Sequence, residues 1–106
     1  PLDLSAVVKT DATLRAFSLA QNVPNPFNPA TQIAFDVPTD GPVNLSVYNL
    51  LGQRVRTLVD ERRTAGHYVV TWDGRDEVGR PAATGLYLYR LIAPGFVQAR
   101  KMTLLR

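Results

Sequence analysis

Apolar and polar residues alternate with a period of two along most of this chain. TQIAFDV (31–37) puts Ile33, Phe35 and Val37 on one face and Gln32 and Asp36 on the other. VNLSVYN (43–49) repeats the pattern with Val43, Leu45 and Val47 inward and Asn44 and Ser46 outward. Successive side chains of a strand point to opposite faces, so such stretches are half-buried strands. RVRTLV (54–59), HYVVTWD (67–73) and GLYLYRLIA (85–93) follow in the same manner, and FVQARKMTLL (96–105) closes a last hairpin. Residues 54–63 are the one helix-like stretch, and Thr57 and Val59 favour a strand there. Turn signals recur about every 8–12 residues: TDGP (39–42), LLGQ (50–53), RRTAGH (62–67), DGRDEVGRP (73–81) and Pro94-Gly95. The expectation is an all-β, immunoglobulin-like antiparallel β-sandwich of about seven strands.

Two segments depart from the pattern. PLDLSAVVKTDATLRAF (1–17) shows no sustained period and reads as a linker, with a weak strand at Ala6 to Val8, ahead of a domain at 18–106. In the last strand Met102 and Leu104 suit one face and Ala99, Lys101 and Thr103 the other. Gln98 and Arg100 then fall on the Met102 face, which predicts early exposure of that face or a bulge near Arg100.

A length of 106 residues suits one domain with one core. The chain opens on proline rather than methionine, and a piece cut from a longer polypeptide is expected. No apolar run reaches the roughly 18 residues of a membrane span. Cysteine is absent, which excludes disulfides and thiolate metal sites. The lone histidine, His67, excludes multi-histidine metal sites and reads as an ordinary strand residue. Twelve basic against nine acidic residues give +3, too small an excess to suggest nucleic acid as a partner.

The chemistry concentrates in two places. PNPFNP (24–29) sets three of the eight prolines around one phenylalanine. Each proline fixes φ near −65° and removes a backbone donor. Asn25 and Asn28 each precede a proline, a pairing that initiates turns. The segment is a stiff, kinked rope, and Phe27 is its one large apolar group, placed to plug an end of the sandwich. The other reading is a ligand for an aromatic groove. The second place is WDGRDEVGRPAATGLY (72–87). Asp73, Asp76 and Glu77 suggest a calcium loop; with the turn glycines Gly74 and Gly79, the other reading is plain loop capping by Asp73 and Asp76. Arg75 and Arg80 beside them favour ionised carboxylates, the wrong state for a general acid. No enzymatic activity and no cofactor are expected. Trp72 reads as core, its N–H needing a partner. Tyr87 and Tyr89 read as packing tyrosines whose hydroxyls tie a loop to the sandwich. Arg54 and Arg56, at i and i+2, read as a solvated face, joined by Arg62, Arg63, Arg100 and Lys101 in a basic surface that either guards a sheet edge or docks on an anionic one.

LAQNVPNPFNPATQIAFDVP, VYNLLGQRVRTLV, AGHYVVTWDGRDEVGRPAATGLYLYRL and the closing RKMTLLR together resemble the C-terminal sorting domain of the type IX secretion system, over about residues 17 to 106. The middle, TWDGRDEVGRPAATGLY, is also similar to the immunoglobulin-like domain of the flagellar hook-capping protein. The first resemblance implies a sorting and anchoring module. Its partners would be the outer-membrane secretion machinery, a surface sortase-like peptidase and anionic lipopolysaccharide. Its location would be the periplasm in transit, then the cell surface or exterior, without spanning the membrane. Pro24, Asn25, Pro26, Phe27, Asn28, Pro29, Gly85, Tyr87, Tyr89, Lys101, Met102, Leu104, Leu105 and Arg106 match the family's motifs. Cleavage would fall before about Leu19. QNVPNP carries valine where the family frequently has an aromatic. An unpaired final strand edge would offer a receptor a place for strand addition. The alternatives are a carbohydrate-binding module using Trp72, Tyr87 or Tyr89, and a hook-cap-like structural domain.

Overall fold

Ile33, Phe35 and Val37 are all buried, and so are Val43, Leu45 and Val47. The two alternating runs turn these faces towards each other, and the remaining strands complete two layers. The computed structural model describes residues 16–106. The strands are β1 (Ser18–Leu19), β2 (Thr31–Val37), β3 (Gly41–Tyr48), β4 (Arg54–Arg63), β5 (Gly66–Trp72), β6 (Gly85–Ala93) and β7 (Phe96–Leu104). One sheet has the order β1-β2-β5 and the other β4-β3-β6-β7. Every neighbouring pair is antiparallel. The all-β, immunoglobulin-like sandwich is thus observed. No helix among the described residues is long and apolar enough to cross a membrane.

The core lies between the layers. Leu19, Phe35 and Trp72 come from the three-stranded sheet, and Leu45, Tyr89, Leu91 and Met102 from the four-stranded one. Each such side chain, fully buried, contributes roughly 1.5–3 kcal/mol. Phe17 stacks on Phe96 with centroids 5.1 Å apart, so packing begins just ahead of β1. The weak strand expected at Ala6 to Val8 lies outside the described residues.

Strand limits shift where β3 begins and where β4 ends. Gly41 and Pro42, expected in a turn, open β3 opposite Arg63 and Arg62. A proline fits there because β6 joins β3 only from Asn44 onward. Arg62 and Arg63, expected in the next turn, therefore extend β4. Within the β3–β4 ladder the register slips between Leu45 and Ser46 and again between Val47 and Tyr48. The extra β4 residues are Leu58 and Val55, and they break the simple i, i+2 face assumed for Arg54 and Arg56. Near Arg100 the ladder from Gly85↔Leu104 to Ala93↔Phe96 runs without a slip. Gln98 and Arg100 are half-buried instead. The Arg100 Nε donates to the Leu19 carbonyl at 2.5 Å, so its apolar stem lies along the core face while its head serves β1.

Candidate functional site

The residues singled out by motif lie mostly at one pole, where β2 and β6 begin and β3, β5 and β7 end. The proline rope leads to it. Asn22 and Thr31, both buried, close the ends of the rope against each other: Asn22 Nδ2 donates to Thr31 Oγ1 at 3.0 Å, and both side chains donate to the Pro24 carbonyl. Pro24, Asn25, Pro26, Asn28 and Pro29 are exposed, and Phe27 alone is buried, at 2% exposure.

Phe27 behaves as a single residue of parallel strand on the outer edge of β7. Its N–H donates to the Thr103 carbonyl at 3.0 Å, and its own carbonyl accepts from Leu105 N–H at 2.9 Å. The Thr103 N–H donates to Asn25 Oδ1 at 2.9 Å. The Lys101 carbonyl accepts from Gln21 Nε2. This overturns the expectation of an unpaired final edge, because Thr103 and Leu105 already spend their outward groups on the rope. The Phe27 ring lies 5.6 Å from Trp72, and Trp72 meets Tyr87 edge-on at 5.4 Å. Trp72 Nε1 donates to the Arg75 carbonyl.

The tyrosines act as ties. Tyr87 OH donates to the Ala83 carbonyl at 2.6 Å. Tyr89 OH donates to the Ala20 carbonyl at 2.7 Å and accepts from Asn22 N–H at 2.8 Å, so it holds the start of the rope. Burial pushes both phenols above their ordinary pKa and keeps them protonated, as donors. Trp72, Tyr87 and Tyr89 are exposed by 0%, 7% and 0%, so none presents a ring face on which a sugar could stack.

Residues 22–93, more than half of the chain, match the family described as the FlgD Ig-like domain. The chain belongs to that family. No curated protein matches. Among solved structures, this FlgD-type Ig-like domain is similar to dimeric latent PorU from Porphyromonas gingivalis, with a TM-score of 0.67 at 20% identity, covering 85% of this chain and 9% of that one. It is similar to PorZ, an essential surface component of the type-IX secretion system of the same organism, with a TM-score of 0.54 at 18% identity, covering 88% and 12%. FlgD from P. aeruginosa gives a TM-score of 0.54 at 22% identity, covering 70% and 58%. The likeness is one of fold, and the domain spans a small part of the two secretion proteins.

The polar loop of this Ig-like domain is wired inward. Asp73 Oδ1 accepts from Arg75 N–H at 3.0 Å, and Asp76 Oδ1 accepts from Val78 and Arg80 N–H. The Arg80 and Val78 backbone donors hold the Asp76 carboxyl below the usual range despite some desolvation. The Glu77 carboxylate takes the Thr57 N–H, and Glu77 N–H donates to the Val55 carbonyl, so the loop covers part of the β4 edge. The Asp73 and Asp76 carboxylates thus cap their own loop, and that of Glu77 ties it to β4. Among the described residues no three His, Cys, Asp or Glu side chains converge on a metal position. Arg56, expected on a solvated face with Arg54, reaches Asp73 and the carbonyls of Arg75 and Asp76.

Gly74 sits where rope, loop and chain end meet. Its φ is +75°, and a Cβ there would stand 2.6 Å from the Pro29 carbonyl oxygen. Arg106 closes the junction, with Nε donating to the Ala82 carbonyl at 2.6 Å and Nη2 to the Gly74 carbonyl at 2.5 Å. Its N–H reaches Thr84 Oγ1. Of the remaining motif residues, Gly85 opens β6 opposite Leu104, Met102 and Leu104 are buried, and Lys101 and Leu105 are exposed. Sequence reasoning missed Asn22 and Thr31, and it missed the role of Arg56 at the acidic loop. The signal for Arg56 was the acidic loop, but nothing local shows which strand that loop would cover.

Proposed function

We infer that this domain is a non-enzymatic sorting and anchoring module, which carries an attached polypeptide across an outer membrane by the type IX route and resides at the cell surface afterwards. The observation that carries the reading is the lacing of the PNPFNP rope to the last strand. Asn25, Phe27, Thr103 and Leu105 form one hydrogen-bonded unit, so two distant motifs present one shape. Fold likeness to PorU and to PorZ, a surface component of that secretion system, supports it. A processing cut would fall ahead of Phe17, because Phe17 is stacked and Ser18–Leu19 is paired with β2.

The test is export of a periplasmic reporter fused ahead of this chain, in a bacterium with a type IX system and in an isogenic strain lacking its outer-membrane translocon. Surface display in the first strain only is expected, and removal of Lys101 to Arg106 should return the reporter to the periplasm. A reporter that stays periplasmic in both strains would sink the idea. The second reading is a hook-cap-like structural domain, favoured by the family match over residues 22–93. It predicts co-purification with flagellar hooks instead.

A further inference from the structure

The two outer faces of the sandwich differ in chemistry. On the three-stranded sheet the Asp36 carboxylate and the His67 ring lie 2.6 Å apart and hydrogen-bond each other, and Val69 is exposed. On the four-stranded sheet β3, β6 and β7 contain no acidic residue. One cross-strand row there reads Arg54, Tyr48, Leu88, Lys101. In the next row Arg90 stands between Ser46 and Ala99. Its guanidinium lies 4.8 Å over the Tyr48 ring, and Nη2 donates to the Tyr48 hydroxyl at 2.9 Å. The third row adds Ile92 and the exposed Val97, with Asp60 at the far corner; Asp76 and Glu77 line a hollow beside Arg54 at the β4 edge without pairing with it. Among the described residues neither Arg54 nor Lys101 has an ion-pair partner.

We propose that this face docks an extended segment of a partner protein that carries two carboxylates about an apolar residue. Arg54 and Lys101 stand three strand spacings apart in one row, about 14 Å. Same-face residues i and i+4 of an extended strand lie about 13 Å apart. A segment crossing the sheet therefore sets acidic residues i and i+4 over Arg54 and Lys101, and an apolar residue i+2 over Tyr48 and Leu88. Arg90, held by its stack on Tyr48, adds a fixed positive charge beside that row. Recognition runs through side chains of the face, because the backbone edge of β7 is taken at Thr103 and Leu105. The inference does not depend on the route of export.

The test is a titration of the isotope-labelled 106-residue chain, followed by amide NMR, with a synthetic peptide repeating Asp-Ser-Val-Ser-Asp. The controls are its Lys-for-Asp counterpart and phosphatidylglycerol vesicles. Saturable shifts at Leu88, Arg90, Ile92 and Lys101 with the acidic peptide are expected, weakening with added salt. The double variant Arg54→Gln/Lys101→Gln, both side chains exposed, should weaken binding on the order of ten-fold. Absence of shifts, equal shifts with the lysine peptide, shifts confined to the His67 and Val69 face, or binding to the vesicles alone would each overturn it.

Discussion

Asp36 shows how a single surface group can report on the fold. Desolvation alone would raise its pKa, but hydrogen bonds from His67 at 2.6 Å and Ser18 at 2.7 Å outweigh it and hold the carboxyl below the ordinary aspartate value. A carboxyl whose pKa is lower folded than unfolded adds stability above its unfolded pKa, near about 4. That stability is lost as pH falls through the lower folded value. Acid titration of stability should therefore be shallower in Asp36→Asn than in the parent below about pH 4, and the variant's deficit should stand at its full size at pH 7. Denaturant midpoints measured across that range check it, and parallel profiles would remove Asp36 from the account. His67 was legible only as an ordinary strand residue. Its pairing with Asp36 follows from the β2–β5 register, which no local pattern reveals.

At the scale of elements, the rope and β7 form one unit. The Thr103 amide is satisfied by the Asn25 side chain and the Leu105 amide by the Phe27 carbonyl. In Asn25→Ala the Thr103 amide should exchange with solvent at least about ten-fold faster, while Leu105 stays protected. In Phe27→Ala both should lose protection, with a stability loss of about 3–5 kcal/mol. Hydrogen exchange resolved by residue distinguishes the two variants, and unchanged protection of Thr103 in Asn25→Ala would show the rope is not bound there. Phe27 as a plug could be read from its isolation among prolines. That the prolines aim it at the last strand could not, because Thr103 lies 78 residues from Asn25. The strands themselves were legible through their alternation. Their ends were not, since Pro42 and Arg62 become strand only by pairing with each other.

Over the whole molecule, the pole is held by groups from four parts of the chain: the rope, the Asp73–Pro81 loop, the turn before β6, and Arg106. Arg106 joins two of them by donating to the Ala82 and Gly74 carbonyls. Arg106→Ala leaves those carbonyls without their charged donor, which costs about 1–3 kcal/mol. Proteolytic nicking should accordingly appear first within Asp73–Thr84, and Arg106→Lys should restore protection only in part because an ammonium lacks the planar fork. Nicking that starts instead at the Leu50–Gly52 turn would count against this role.

The amino-acid order by itself determined the two-layer β architecture, the inward faces and the rigidity of the Pro24–Pro29 segment. Those follow from the pleat period and from proline's fixed φ, which act within a few residues. Only the tertiary structure decided that Asn25 and Phe27 close the edge of β7, that Tyr89 holds Ala20 and Asn22, and that Arg56 serves the acidic loop. Those contacts depend on which strands become neighbours, and that is settled by burying the whole core at once rather than by any local pattern.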